Sequence, residues 1–345
     1  MAFLLGILIA SFLLNGILFI PFINLLYKLK FQRQIQKTKD AFEKPTPIFD
    51  RFNSKKAGIP VGGGFLIIVT TTLLLIISFI LLYYFWVPIT SLYPNMAAEI
   101  KILLFSFISF GILGFYDDLK KTFVSREKKF FGLRLRHKLI LEIILALIIS
   151  FWLYTDLKID FIHIPILGIW YLGWLIVPFS AFVITAFANA YNITDGLDGL
   201  ASGLLMISLF AFWVISSSIL DTPISLFIAI WLGGIIAFLY FNVQPARIFL
   251  GDVGALSFGA TLATIGLMEG KIFSLIIIGG LFVAEVGSSL VQLLGKYYLK
   301  RKIFSVAPIH LWLEYHNWEE SKVVMRAWLA GIMLAVIGLW LALIK

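Results

Sequence analysis

Five aspartates stand out in this chain because each lies near the end of a long apolar run. They are Asp117 and Asp118 in FYDDLKK, Asp195 and Asp198 in NAYNITDGLDGL, and Asp252 in FLGDVGA. A carboxylate beside an apolar segment is costly unless it is paired, hydrated or bound to a metal. The adjacent carboxylates at 117 and 118 also repel each other, so keeping both ionised favours a divalent cation or a cationic partner. Together these residues predict a metal-dependent phosphate site.

Each acidic motif also has a purely structural interpretation. The pair before Lys120 and Lys121 suits a helix end at lipid headgroups, the two Asp-Gly pairs suit turns, and Asp252 suits a helix N-cap. The segment 189–202 nevertheless favours a site, because its asparagines, Asn192 among them, can recognise a base or a sugar and its glycines let backbone approach a phosphate. Carboxylate oxygens suit Mg²⁺ that bridges to substrate phosphates. We therefore expect Mg²⁺ as the cofactor.

Other candidate residues carry weaker signals. Phe249, three residues before Asp252, offers an aromatic face to a base. His310 lies on a short amphipathic segment, where a lone histidine is more often structural than catalytic. Lys55 and Lys56 precede a glycine-rich stretch and are also explained as a basic flank with small-residue packing at a helix entry.

The composition indicates the class of protein that holds these residues. Hydrophobic residues make up 61% of the 345, charged residues 14%, and the mean hydropathy is +0.99. Crossing the ~30 Å hydrocarbon core takes about 20 mostly apolar residues. We predict one polytopic membrane domain, residues 1–345, that is all-α because helices satisfy their own backbone polar groups in lipid. Its ten predicted spans are 2–27, 61–86, 99–116, 138–154, 165–188, 199–219, 223–241, 252–268, 271–295 and 324–344.

Two simpler features of the sequence are its first apolar span and its lack of cysteine. The first span lacks the basic region and the small-residue cleavage site of a signal peptide, so it is predicted to be a retained helix. The chain contains no cysteine, which excludes disulfides and thiol chemistry.

The basic residues behind the net charge of +9 are distributed as the predicted topology requires. Of the 28 Lys and Arg residues, 24 fall on alternate connections between the spans. The positive-inside rule places those connections in the cytoplasm and both termini outside, and it explains the basic charge without nucleic acid, which we exclude as a partner. All five aspartates and His310 then share the cytoplasmic face. The opposite face carries acids interpreted as scattered residues of solvated turns: Glu99, Asp156, Asp160, Asp221 and Glu269.

In their order and spacing these motifs resemble the polyprenyl-phosphate N-acetylhexosamine-1-phosphate transferase superfamily, and within it the phospho-N-acetylmuramoyl-pentapeptide transferases. The resemblance runs from about Ser54 to the C-terminus. The motifs that carry it are KKAGIPVGGG, FYDDLKK, NAYNITDGLDGLASG, FNVQPARIFLGDVGALSFG, and the stretch from EVGSSLVQ through KRKIFSVAPIHLWLEYHNWEESKVVMR. The last stretch favours the muramoyl branch over the N-acetylglucosamine-1-phosphate branch, which stays as the alternative.

The resemblance implies a role for each residue at the reacting phosphates. Asp117 and Asp118 would act at the phosphates and near the metal, and Asp252 would be a principal Mg²⁺ ligand. Either Lys55 or Lys56 would contact the donor diphosphate.

The nucleotide side of the site is implied in the same way. Asn192, Asp195 and Asp198 would line it, and Phe249 would stack near uracil. His310 matches the first position of a triple-histidine motif, here reduced to His310-Leu311-Trp312. Two further departures are an alanine after GDVG, Ala255, where serine is usual, and the sequence GIPVGGG in place of a threonine- and methionine-bearing pattern.

The implied reaction transfers phospho-N-acetylmuramoyl-pentapeptide from its UDP-linked donor to undecaprenyl phosphate, giving lipid I and UMP. Phosphoryl transfer depends mainly on positioning and charge neutralisation. The acceptor phosphate, with a second pKa of about 6, needs little help from a base near neutral pH. A covalent route through an aspartate stays open. The family also implies the bacterial plasma membrane, contact with membrane lipids, and a homodimer.

Two functions of other classes are also considered. A transporter is suggested by acids inside spans such as Glu285, but the motif acids cluster at one face and no internal repeat is evident. A non-catalytic relative that binds polyprenyl lipid is suggested by the reduced histidine motif, but all five aspartates are in place.

Overall fold

The computed structural model describes residues 2–34, 46, 50, 54, 56–124 and 132–344. Among these residues helices dominate, as the all-α prediction requires. A π-helical turn, Lys120–Val124, continues the helix Met96–Leu119, and a single 3-10 turn, Gly173–Leu175, precedes the helix Ile176–Thr194. The helices are α1 (Ala2–Lys28), α2 (Gly63–Tyr84), α3 (Met96–Leu119), α4 (Leu135–Thr155), α5 (Ile176–Thr194), α6 (Leu200–Ser218), α7 (Thr222–Asn242), α8 (Gly251–Met268), α9 (Ile272–Ile278), α10 (Gly280–Tyr298), α11 (Ile309–Tyr315) and α12 (Glu320–Leu343).

The polytopic architecture is confirmed. In the described parts of the chain, nine helices are long and apolar enough to cross a membrane, and the bent pair α9 and α10 makes a tenth if it counts as one span. Most predicted spans match their helices to within a turn at each end. Two of the predicted spans differ, and each difference has a local cause.

The first difference lies before α5. The predicted span 165–188 begins inside an antiparallel hairpin of β1 (Phe161–Ile164) and β2 (Gly168–Tyr171), which pairs Phe161 with Tyr171. The hairpin is apolar and aromatic, so its hydropathy merges with that of the helix that follows. After the turn, β2 begins at Gly168, whose φ of 87° is a conformation that favours glycine.

The second difference is a break in the predicted span 271–295. Helices α9 and α10 meet at Gly279 with a bend of 77°. Gly279 packs against the ring of Phe187, where an added Cβ would lie 2.7 Å from the Phe187 Cε1. The glycine pair at 279 and 280 both weakens the helix and permits this close packing.

Helix α8 lies at the centre of the bundle and is almost entirely buried. Small residues let its neighbours approach its backbone, as is usual between membrane helices. Gly114 of α3 lies against the backbone of Asp252, and Gly64 of α2 lies against Gly254. These contacts fix the start of α8 beside the end of α3, so they position Asp252 next to Asp117 and Asp118.

The opposite end of the bundle differs from the predicted solvated turns. Glu99 and Asp221 are fully buried rather than solvated. The Asp221 carboxylate accepts hydrogen bonds from the Ile224 amide at 3.0 Å, which caps α7, and from the Leu92 amide at 3.2 Å. The Ser91 hydroxyl donates to Glu99 Oε2 at 2.6 Å. These acids therefore tie the connection between α2 and α3 to the bundle.

Candidate active site

A cavity of about 430 Å³ opens at the end of the bundle where α3 and α5 end and α8 begins. Its walls come from the segment after α1, the end of α3, the α5–α6 connection, the start of α8, and α11. The structure thus brings together segments that are distant in the chain. The predicted site residues that line this cavity are Asp118, Asn192, Asp195, Phe249, Asp252 and His310.

Two lysines join the aspartates at the α3 end of the cavity. Lys121 Nζ lies 3.2 Å from Asp117 Oδ2 and 2.8 Å from Asp252 Oδ2. Lys138, from α4, lies 3.3 Å from the same Asp117 oxygen and forms a short hydrogen bond with Asp252 Oδ2. Asp117 Oδ1 also accepts from the Leu133 amide at 2.6 Å. We call Asp117, Asp118, Asp252, Lys121 and Lys138 the carboxylate cluster.

Asp118 is held by the start of α8. Its Oδ2 accepts a hydrogen bond from the Val253 amide at 3.0 Å, where the free amides of a helix N-terminus favour an anion. Gly251, with φ at 81°, lies so close that an added Cβ would be 2.6 Å from this oxygen. Asp252 itself lies within the first turn, makes no cap, and points its carboxylate at the lysines. The N-cap interpretation of Asp252 is therefore not what the structure shows.

The donor types in this cluster are those that Mg²⁺ prefers, because all three acids offer hard oxygen atoms. The lysine nitrogens, however, lie between Asp117 and Asp252. In the described part of the chain, no group of three acidic or histidine side chains converges closely enough to hold a metal ion in this arrangement. For a cation to contact both Asp117 Oδ2 and Asp252 Oδ2, the lysine nitrogens that lie between these oxygens must shift aside.

The α5–α6 connection forms the second wall. Asn192 and Asp195 line the cavity at the end of α5. The Asp195 amide donates a hydrogen bond to the Tyr191 carbonyl at 3.0 Å, which ends that helix. Burial raises the pKa of Asp195 to about 7, although the Arg33 guanidinium opposes this shift. Near neutral pH, Asp195 can therefore hold or release a proton.

Lys56 and Asp198 lie behind that wall instead of lining the cavity. Lys56 Nζ lies 2.9 Å from Asp198 Oδ1 and 2.5 Å from Glu320 Oε1, and it donates to the Gly196 carbonyl at 3.2 Å. The Asp198 amide donates to the same Glu320 oxygen at 2.7 Å. Lys56 is only 8% exposed. These contacts hold the 195–198 loop against α12, and Lys55 lies outside the described residues.

Phe249 lies beside Arg33, one of the basic residues on the connections between the spans. The guanidinium carbon of Arg33 lies 5.4 Å from the centroid of the Phe249 ring. Burial lowers the pKa of Arg33, while nearby Asp195, Asp198 and Asp252 oppose that shift. An arginine stays charged under such conditions because its ordinary pKa is so high.

His310 forms a dyad with the buried Glu285 of α10. The His310 amide donates to Glu285 Oε1 at 3.1 Å, and its ring Nδ1 lies 3.1 Å from Oε2. A carboxylate only accepts hydrogen bonds, so Nδ1 carries the ring hydrogen. The other ring nitrogen, Nε2, lies next to Gly196. Leu311, which stands where the family motif has a histidine, lines the cavity beside it.

Comparison with known proteins places these features in a family. The protein-family model described as glycosyl transferase family 4 matches residues 100–270 of this chain. The phospho-N-acetylmuramoyl-pentapeptide-transferase of Bacillus subtilis (strain 168) is 34% identical over 340 residues, which cover 98% of this chain and 96% of the relative. The enzyme of the same name from Bacillus licheniformis is 32% identical over 335 residues, 96% of each chain. The one from Staphylococcus epidermidis (strain RP62A) is 38% identical over 262 residues, 73% of this chain and 79% of the relative.

Proposed function

Since this chain belongs to glycosyl transferase family 4, we propose that it transfers phospho-N-acetylmuramoyl-pentapeptide from a UDP-linked donor to undecaprenyl phosphate, giving lipid I and UMP. The observation that carries the proposal is the carboxylate cluster, in which three aspartates and two lysines meet beside a wall of Asn192, Asp195 and Phe249. One part of this cavity suits phosphates and a cation, and the other suits a nucleoside. Family membership favours this enzymatic role over a transporter or a lipid-binding relative.

The proposed cofactor is Mg²⁺, held by Asp252 together with Asp117 and Asp118. Bound there, the ion would neutralise charge on the phosphate oxygens of the donor. Lys121 and Lys138, which contact Asp117 and Asp252 in this structure, would shift aside for the ion and stay beside the cluster, where they would offer positive charge to the negative charge that develops during transfer. Such positioning and neutralisation are most of what phosphoryl transfer requires.

The proposed nucleotide wall uses the other predicted residues. Phe249 would stack on uracil, and Asn192 would offer its amide to the base or the ribose. His310, oriented by Glu285, would present Nε2 beside Gly196 to the donor. Lys56 and Asp198 would shape this wall by holding its loop.

The proposed orientation puts the cavity at the cytoplasmic face of the bacterial plasma membrane and both termini outside. The basic connections support this orientation through the positive-inside rule. The acceptor's tail would stay in lipid while its phosphate reaches the cluster at the helix ends. Each Lys or Arg near the surface would attract anionic donor or lipid by on the order of 1 kcal/mol.

The second candidate donor is UDP-N-acetylglucosamine. The specific observation that favours it is Leu311, an apolar side chain on the cavity wall where the muramoyl motif carries histidine.

The test is UMP release by purified protein in detergent with Mg²⁺ and undecaprenyl phosphate. UDP-N-acetylmuramoyl-pentapeptide and UDP-N-acetylglucosamine would be compared as donors. We expect turnover of the pentapeptide donor. Turnover of UDP-N-acetylglucosamine alone would assign the chain to the second candidate, and release from neither donor would contradict the proposed function.

Asp195→Asn is expected to raise the melting temperature by a margin that grows with pH. Burial raises the pKa of Asp195 to about 7, from an ordinary value of 3.8. The folded protein thus keeps this proton at a pH where the unfolded chain has released it, so the contribution of Asp195 to stability is full in acid and is lost as the pH rises to about 7. Melting curves from acid to alkaline pH should show a margin that levels off above 7. A margin independent of pH would contradict this expectation.

A further inference from the structure

A donor diphosphate would bring negative charge into a cavity that already holds Asp118, Asp195 and Asp252. Cations must therefore lie within reach. Among the described residues that line the cavity, the Lys and Arg side chains are those of Lys121 and Arg33. Lys121 lies within the carboxylate cluster. Lys56 lies behind the cavity wall, where it pairs with Asp198 and Glu320.

Arg33 lies between the carboxylate cluster and the wall that contains Asp195 and Phe249. Its guanidinium contacts the Phe249 ring on one side. It also lies within electrostatic reach of Asp195 on the nucleotide wall and of Asp252 in the carboxylate cluster. A donor diphosphate whose nucleoside lies on Phe249 and whose reacting phosphorus lies near Asp252 must pass between these points.

The backbone that carries Arg33 is firmly held. The Arg33 amide donates to the Ile59 carbonyl at 2.9 Å, and its carbonyl accepts from the Gly58 amide at 2.9 Å. Phe31, just before it, is buried against Phe115 and Phe123. This anchoring reduces the conformational entropy that a ligand contact would otherwise cost.

We infer that Arg33 binds the diphosphate of the uridine nucleotide at the Phe249 wall. The guanidinium offers paired N–H donors that match two phosphate oxygens, and such charge-assisted bonds are stronger than neutral ones. This inference rests on the proposed function, because it names a residue that holds the donor in the same cavity. Arg33 thereby supplies a diphosphate contact in addition to the one that the family resemblance assigns to Lys55 or Lys56.

The test compares three ligands that share the nucleoside and differ in phosphate. Uridine, UMP and UDP would be titrated into purified full-length protein, at fixed Mg²⁺, by calorimetry. The variants are Arg33→Gln, Arg33→Lys and the matched control Arg247→Gln, whose guanidinium lies 5.9 Å from the Phe241 ring and outside the cavity lining. We expect Arg33→Gln to weaken UDP binding about ten-fold or more while uridine changes less than about two-fold. Arg33→Lys should recover part of the loss, and Arg247→Gln should bind like the unaltered protein.

Other outcomes overturn the inference in distinguishable ways. Equal UDP affinity in Arg33→Gln and the unaltered protein would remove Arg33 from the diphosphate and leave the proposed function standing. An equal loss of uridine and UDP affinity, at an unchanged melting temperature, would assign Arg33 to the base instead. No binding of UDP by the unaltered protein would overturn both the inference and the proposed function.

Discussion

Asp252→Asn is expected to lower UMP release by about a thousand-fold, within the range for loss of a charged group that stabilises phosphoryl transfer. One oxygen of Asp252 contacts both Lys121 and Lys138. Asparagine would keep the shape of the side chain but remove the charge that holds these lysines together. It would also replace the charged oxygen of the principal proposed Mg²⁺ ligand with a neutral amide oxygen. The lost charge therefore affects the cation and both lysines at once.

The measurement is the initial rate of UMP release at saturating donor and acceptor. Asp156→Asn is the matched control, because Asp156 pairs with Lys101 far from the cavity. That control should retain the full rate. Melting curves of both variants would show whether each is folded. A folded Asp252→Asn variant within about ten-fold of the unaltered rate would contradict the role given to Asp252.

Gly114→Ala is expected to destabilise the fold by about 3 kcal/mol, the upper end of typical overpacking costs, and to lower activity with it. An added methyl group would overlap the Asp252 carbonyl and lie 2.6 Å from the Val253 nitrogen. Backbone atoms cannot rotate away as a side-chain tip can, so α3 and α8 must separate. That separation would also pull Asp117 from Asp252.

Two other glycines provide graded controls for thermal melting in detergent. Gly16 of α1 has no atom within 4 Å of an added Cβ, so Gly16→Ala should leave the melting temperature nearly unchanged. Gly111→Ala would meet the Ile68 Cδ1 at 2.7 Å, a side-chain end that can move, and should give an intermediate loss. A melting temperature for Gly114→Ala equal to that for Gly16→Ala would show that the two helices are not fixed by this contact.

Hydropathy predicted the membrane helices well because each long apolar run must satisfy its own backbone in lipid. The hydropathy prediction was wrong where an apolar segment forms a hairpin or a bent helix pair instead of a straight membrane helix. The hairpin at 161–171 is as apolar as a span, and the bend at Gly279 depends on packing against Phe187, which is distant in the chain. The burial of Glu99 was missed because its partner, the 91–95 connection, looks like an ordinary loop.

The aspartate motifs could be found from sequence because acids at the ends of apolar helices are rare and need a cause. Their partners could not be found, because the pairs join positions far apart in the chain. Lys138 contacts Asp252, which lies 114 positions later in the chain, and Lys56 contacts Glu320, which lies 264 positions later. Arg33 and Glu285 were likewise visible as charged residues, but no local pattern indicated which face of the cavity they would occupy.

The glycine contacts among α2, α3 and α8 also limit what the chain can change in evolution. Gly64 and Gly254 each occupy space that the other's Cβ would need, so neither position can acquire a side chain unless a whole helix moves. Leu311, by contrast, lines the cavity with its side chain. Mutation at such a lining position can alter the cavity while the helix crossing that places Asp117 beside Asp252 is inherited unchanged.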